Sequence, residues 1–193
     1  MIRILAGQFR SRVLVTPKGS TTRPTSSQLR AAVFNICQND IAEARFLDIC
    51  AGSGGMGFEA LSRGAQSASF IEQSRPALLA IKENVQLLQV QQQCHLLFGD
   101  AVAVLKGLEG PFDICYFDPP YTKKQGETCP LTVGVLQTFD ERPQLLAPHA
   151  RLFVEESIYA DLSALALTNL TVDSVRRFGS SQLFCFIHKT PKR

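Results

Sequence analysis

Apolar and polar residues follow two different periods along this chain, and each change of period marks a boundary between elements. On either side of Gly7 to Arg10 the segments "MIRILAG" and "SRVLVTP" alternate with period two, which predicts a short hairpin. "PTSSQLRAAVFNICQN" then places Leu29, Val33, Phe34 and Cys37 at spacings of three and four along one face, a helix with Thr25 or Ser26 as its N-cap. From Arg45 onward short apolar runs alternate with longer helical ones. They read "RFLDIC", a helix from about Gly55, "SASFIE", a helix over "RPALLAIKENVQLLQ", "CHLLFGD", "AVAVLKGL", "FDICYFDPP", "LTVGVLQTF", "ARLFVEES" and "LSALAL". Two strands, "NLTVDSVRRF" and "LFCFIHK", close the chain. The alternation is that of βαβ units feeding a parallel sheet covered on both faces. The last two strands, joined by "GSS", suit an antiparallel hairpin at the sheet's edge.

Composition adds a frame to this α/β pattern. A chain of 193 residues suits one domain that buries roughly 70% of its unfolded surface. We expect a single unit over residues 1–193, with residues 1–40 as an N-terminal extension and 45–190 as the core. The 45% hydrophobic and 19% charged content is that of a soluble protein, and no apolar run is long enough for a membrane span. "MIRILAGQFRSR" lacks the apolar region of a signal peptide. Cys37, Cys50, Cys94, Cys115, Cys129 and Cys185 show no C-x-x-C spacing and several fall in apolar runs. Reduced, mostly buried thiols and a cytoplasmic location are expected. His95, His149 and His188 lack metal-ligand spacing and are expected to be structural or surface residues; no metal is expected.

Charge is unevenly placed. Residues 1–30 carry Arg3, Arg10, Arg12, Lys18, Arg23 and Arg30 with no acid, although the whole chain has a net charge of only +3. The basic character is N-terminal, and such residues offer phosphate contacts that position RNA without reading its sequence. Arg10 and Arg12, with Phe9 beside them, are expected on a hairpin tip, as a lip beside a catalytic pocket.

"FLDICAGSGGMGFEALSRG" sets Gly52, Gly54 and Gly57 in G-x-G-x-x-G spacing between a strand and a helix, a turn in which the backbone can approach a ligand closely. Glu72 ends the next strand, where a carboxylate can accept hydrogen bonds from both ribose hydroxyls of a nucleoside, and Asp100 ends the third. Asp48 distinguishes two ligands. A dinucleotide brings a pyrophosphate to the turn, which Asp48 would repel, whereas S-adenosylmethionine brings an ammonium and a sulfonium, which it attracts. The charge pattern favours the methyl donor.

Asp118-Pro119-Pro120-Tyr121 follows the fourth strand of this alternating region. Prolines are stiff and lack N–H donors, so the segment offers acceptors alone: the Asp118 carboxylate and the Pro119 carbonyl. Two acceptors that grip the N–H bonds of a planar exocyclic amine hold its lone pair towards a methyl sulfonium and stabilise the growing positive charge. Asp118, with an ordinary pKa of about 3.9, is a weak base, which suffices for an amine that loses its proton readily once alkylated. Tyr121 is placed to stack on the ring, a contact worth about 1–3 kcal/mol. Lys123 and Lys124, immediately after it, are placed to grip the flanking backbone. A looped or single-stranded base is the cheaper substrate, because the target must leave its stack.

"DICAGSGGMGFEALSRGA", "FIE", "GDA" and "FDPPY", in that order, resemble the class I S-adenosylmethionine-dependent methyltransferases that act on planar exocyclic amines. "RILAGQFRSRVL", "RPTSSQLRAAVFN" and "FGSSQLFCF" resemble more closely the bacterial methyltransferases that modify the 2-amino group of one guanosine in small-subunit ribosomal RNA. The likeness runs from about Arg3 to Phe186. It implies a Rossmann-like, seven-stranded, mostly parallel sheet with an antiparallel last strand, preceded by the hairpin and helix. It further implies S-adenosyl-L-methionine contacts at Asp48, Ala51, Gly52, Gly54, Glu72, Asp100 and Ala101, and amine handling by Asp118, Pro119, Pro120 and Tyr121. RNA contacts are expected at Arg3, Arg10, Arg12, Arg23, Arg30, Lys123 and Lys124. The implied substrate is a partly assembled ribosomal subunit, with no membrane and no obligate protein partner. The chain departs from the family at Ser27-Gln28, where an acidic-basic pair is usual, and at Ala32, where an acid is common; both changes concern helix-surface salt bridges. An adenine 6-amino DNA methyltransferase would use the same Asp-Pro-Pro-Tyr site, but 193 residues leave little room for its target-recognition domain. A non-catalytic RNA-binding protein on this fold is the alternative of a different class.

Overall fold

The computed structural model describes residues 2–17, 26–120, 128–162 and 164–189. Two short strands, β1 (Ile2–Arg3) and β2 (Val13–Leu14), pair antiparallel and are followed by α1 (Ser27–Ile36). Ser26 caps α1, its hydroxyl accepting from the Leu29 N–H at 3.1 Å. The alternating elements follow as β3 (Arg45–Ile49), α2 (Gly55–Ser62), β4 (Ser67–Glu72), α3 (Arg75–Leu88), β5 (Cys94–Phe98), α4 (Ala101–Gly107), β6 (Phe112–Phe117), α5 (Pro130–Glu141), β7 (Leu146–Ser157), β8 (Leu170–Phe178) and β9 (Ser181–His188).

The seven strands β3 to β9 form one sheet in the order β5-β4-β3-β6-β7-β9-β8, parallel as far as β7. The chain-terminal strand β9 inserts antiparallel between β7 and β8, so β8, rather than both members of the hairpin, forms the edge. Alternate side chains of the central strands feed two cores. Phe46, Phe70, Ile114 and Tyr116 point to the face covered by α1, α2 and α3; Leu47, Ile49, Ile71, Cys115 and Phe117 point to the face covered by α4 and α5. This two-sided burial is why these strands read as continuous apolar runs. "LSALAL" forms neither helix nor strand among its described residues. The Asp140 carboxylate at the end of α5 accepts the N–H groups of Thr168, Asn169 and Leu170 and fixes the connection to β8 instead. No helix among the described residues is long and apolar enough to cross a membrane.

Register levels the strand tips. Leu97, Ile71, Ile49, Phe117, Val154, Phe184 and Val175 form one row across the sheet. Phe98, Glu72, Cys50, Asp118, Glu155, Leu183 and Arg176 therefore occupy the next row, at the carboxyl edge of the parallel strands.

The hairpin is fastened along α2. The fully buried Glu59 carboxylate accepts from the Leu5 and Ala6 N–H groups at 2.7 and 3.1 Å and pairs with Arg63 at 2.8 Å. Gln8 N–H donates to the Ser62 carbonyl and Phe9 N–H to its hydroxyl, at 2.8 and 2.9 Å. Gly7, at φ +81°, lies so close that a Cβ there would meet the Ser62 carbonyl oxygen at 1.7 Å. Gly7→Ala combines backbone strain with a collision against main chain, and we expect a loss of at least about 2 kcal/mol of stability. Equilibrium denaturation measures it, and an unchanged midpoint would contradict this docking.

Candidate active site

The turn after β3 is shaped by three consecutive demands on the backbone. Cys50, Gly52 and Gly54 all have positive φ, at 59°, 57° and 81°. For a cysteine this conformation costs on the order of 1 kcal/mol and needs surrounding structure to hold it. The Ala51 N–H donates to the Ile71 carbonyl at 3.1 Å and the Gly54 N–H to the Ala51 carbonyl at 2.8 Å, which supplies that structure. The glycines do different work. A Cβ on Gly57 would meet the Phe70 ring at 2.3 Å and one on Gly54 the Phe58 ring at 2.6 Å, so both permit close packing of helix on strand. A Cβ on Gly52 would meet nothing within 4 Å. That is the open side of the turn, where a ligand can lie against bare backbone.

The three acids differ in setting. Asp48 lies one residue inside the end of β3 and is buried beneath the turn, its Oδ2 accepting from the Gly57 N–H at 2.9 Å. Burial pushes its pKa up to about 8, against the Gly57 N–H; the Glu72 charge adds to the rise and the Met56 N–H opposes it. Glu72 is also buried. Its Oε2 accepts from the Gly52 N–H and its Oε1 from the Ser74 N–H, both at 2.7 Å, so it bridges the glycine turn to the start of α3. Each carboxylate oxygen keeps acceptor capacity beyond these bonds. Asp100 is exposed and caps α4, accepting from the Ala103 N–H at 3.0 Å, while Ala101 beside it is buried.

Cys50 joins these acids to the proline segment. Its thiol pKa is pushed up first by burial and then by the charges of Glu72, Asp118 and Asp48 and by Cys129. The acids on the glycine side and Asp118 therefore converge on one residue, in keeping with the row Glu72, Cys50, Asp118. The Asp118 N–H donates to the Ile49 carbonyl at 3.3 Å, which carries the β3–β6 ladder one residue past the strand. Pro119 is buried and Pro120 exposed. The Pro120 carbonyl accepts from the Cys129 Sγ at 3.9 Å. Tyr121, Lys123, Lys124 and Arg23 lie outside the described residues.

Two expectations about the basic residues need correction. Arg30 is buried at 4% exposure; its guanidinium donates to the Arg3 carbonyl at 2.8 Å and lies close enough to Glu59 and Tyr116 to feel their charges, so it offers no surface for RNA. The hairpin tip is no lip beside the pocket. Residues 7–9 sit on Ser62 at the far end of α2, about 12 Å of helix from the glycine turn. Arg10 and Arg12 are exposed. Arg3 is exposed and donates to the Ser11 carbonyl at 2.7 Å within the hairpin.

Asn84 has a role that the periodicity hid. On the buried face of α3, it accepts from the Val15 N–H at 2.7 Å and donates to the Val15 and Ser53 carbonyls at 3.0 and 3.1 Å, tying the hairpin's open end to the glycine turn. The available signal was an amide on an otherwise apolar helix stripe, Ala77, Ala80, Ile81, Asn84, Val85 and Leu88.

With that geometry described, the chain can be set beside known proteins. A family model described as "Conserved hypothetical protein 95" matches residues 2–187. Ribosomal RNA small subunit methyltransferase D of Escherichia coli K12 is 33% identical over 157 residues, 81% of this chain and 75% of its own. The chain belongs to this family. The putative rRNA methyltransferase YlbH of Bacillus subtilis is 29% identical over 78% of this chain and 83% of its own. The solved structure of the putative methyltransferase yhhF from Escherichia coli superposes with a TM-score of 0.83 at 28% identity, covering 97% of this chain and 98% of that one. The family lies within the class I S-adenosylmethionine-dependent methyltransferases, and the residues here fit that cofactor: an open backbone cradle at Gly52 with two buried acids beside it.

Buried Asp48 makes stability depend on pH in a defined sense. Its pKa rises from 3.8 in the unfolded chain to about 8 on folding. Its contribution to stability is complete below the lower value and is lost as pH rises through the upper one. Asp48→Asn carries no such proton, so it should gain on the parent protein as pH rises from 5 to 8.5, by at most about 1.4 kcal/mol per pH unit. Denaturant titrations at three pH values test this; a constant gap between the two proteins contradicts it.

Proposed function

We propose that this protein transfers a methyl group from S-adenosyl-L-methionine to the exocyclic 2-amino group of a specific guanosine in small-subunit ribosomal RNA, on an assembled or partly assembled subunit. The observation that supports the reading is the row Glu72, Cys50, Asp118 on adjacent strand tips, with Asp48 buried beneath the glycine turn.

When bound, the cofactor supplies an electrophilic methyl group on a sulfonium. Gly52 and Ala51 give it bare backbone, Glu72 orients its ribose, Asp48 and Gly54 line the turn, and Asp100 and Ala101 border the base. Asp118 and the Pro119 carbonyl each accept one amine N–H, which fixes the nitrogen lone pair towards the methyl carbon. Pro120 stiffens the segment and Tyr121, next in sequence, stacks on the guanine. The Asp118 carboxylate would stabilise the positive charge that develops on the amine nitrogen, whose surplus proton would pass to solvent. The reading is supported by the relatives' names, which describe rRNA methyltransferases.

Asp118→Ala should lower turnover by at least about a hundredfold while cofactor affinity stays within about twofold. A near-normal rate would refute the assignment. Glu72→Ala should weaken cofactor binding at least about tenfold, since it removes both a ribose acceptor and the bridge that holds Gly52. Calorimetric titration measures that, and an unchanged dissociation constant would reject it. The substrate itself is tested by mass spectrometry of ribosomal RNA from cells lacking the protein. One guanosine without its N2 methyl is expected; loss of a methyl from DNA adenine instead would overturn the proposal.

A further inference from the structure

The acceptor half of the carboxyl edge carries a basic and aromatic surface that the amine clamp does not use. Arg176 stands in the same row as Asp118, separated by β7 and β9, a span of about 14 Å at ordinary strand spacing. Arg177 follows on the opposite face of β8, and both are exposed. Neither takes part in the ion pairs among the described residues. The neighbouring acids are already engaged: Glu155 accepts from the Tyr116 hydroxyl at 2.7 Å, and Glu156 accepts from the Thr132 hydroxyl at 2.5 Å and the Ser157 N–H.

Tyr159, in the loop after β7 that is tied to the β8–β9 turn, is 46% exposed. Its loop is held firmly. The Gln182 amide donates to the Ser157 and Ala160 carbonyls at 2.9 and 2.7 Å, and the Ile158 N–H donates to the Ser180 carbonyl at 3.2 Å in the β8–β9 turn. An exposed ring on a held loop, with exposed arginines on the edge strand that leads into the same turn, is the composition of a single-stranded nucleic-acid platform, on which a base stacks while cations track its backbone.

We infer that Tyr159, Arg176 and Arg177 form a second RNA contact, which holds an unstacked base and its flanking phosphates a few nucleotides from the guanosine presented to Asp118. This rests on the RNA methyltransferase reading above. The test uses the full chain and small ribosomal subunits from cells lacking the protein, and measures methyl incorporation as a function of subunit, cofactor and salt concentration.

Tyr159→Ala should raise the KM for subunits roughly 5- to 150-fold, while Tyr159→Phe stays near the parent value. Replacing both arginines, Arg176→Ala with Arg177→Ala, should reduce the slope of log affinity against log salt by about 1.4, at about 0.7 for each phosphate no longer neutralised. The KM for the cofactor should stay within twofold in every variant, which separates an RNA-binding defect from a folding defect; Arg177→Glu alone gives an independent charge-reversal check. Parent-like KM and salt slope in all variants of an enzyme that does methylate subunits would overturn this inference alone. A parent protein that methylates no RNA would overturn the underlying reading, and this inference with it.

Discussion

Two buried carboxylates gripped by main-chain N–H groups govern the architecture of the strand tips. Asp48 holds Gly57 and Glu72 holds Gly52 and Ser74, so the turn between β3 and α2 is laced to the floor of the sheet on one side and to β4 and α3 on the other. A buried carboxylate without such donors would be costly. Here the donors are the N–H groups that a helix start and a tight turn leave unpaired. Each side satisfies the other, and the positive φ values at Cys50, Gly52 and Gly54 are the conformational expense of bringing them together. Burial nevertheless disfavours the ionised form of Asp48.

This constraint extends to the N-terminal residues. Asn84 links Ser53 in the glycine turn to Val15, and Glu59 links α2 to Leu5 and Ala6. Arg30 reaches from α1 to the Arg3 carbonyl and packs near Gly55. The hairpin and α1 therefore brace the glycine turn. Substitutions on the hairpin's inner face should be read as effects on the turn before they are read as effects on RNA.

The alternating pattern made the seven-stranded architecture legible because each βαβ unit carries its own signal: a short apolar strand, a polar or glycine break, then a stripe at helical spacing. Position within the sheet was harder. That β9 pairs with β7 is decided by the long contact of Leu152–Ser157 with Ser181–Phe186, a non-local choice that no local period encodes. At the site, residue types at strand ends pointed to Asp48, Glu72, Gly52 and Asp118, since charge and glycine are conspicuous after an apolar run. Burial was not legible. Arg30 looked like one more N-terminal cation, yet its position on α1 directs it inward beside Leu29 and Val33. The hairpin's direction along α2 was equally hidden, because it depends on Glu59 and Gly7, residues that look ordinary until the partner element is known.

The strand order explains why donor and acceptor groups meet at Cys50. From β3 the chain winds outward through β4 and β5, then returns across the sheet to add β6 on the other side of β3. β3 and β6 thus lie where the strand order reverses, and open α/β sheets bind ligands at the carboxyl edge of such a point. Glycine turn, Glu72 and Asp100 lie on one bank; Asp118, the proline pair and, further out, Tyr159 and Arg176 lie on the other. Because β3 and β6 are hydrogen-bonded neighbours, the two banks start about 4.8 Å apart at their base. A group passed between ligands on the two banks therefore has a short path over Cys50. The folded topology itself sets that distance.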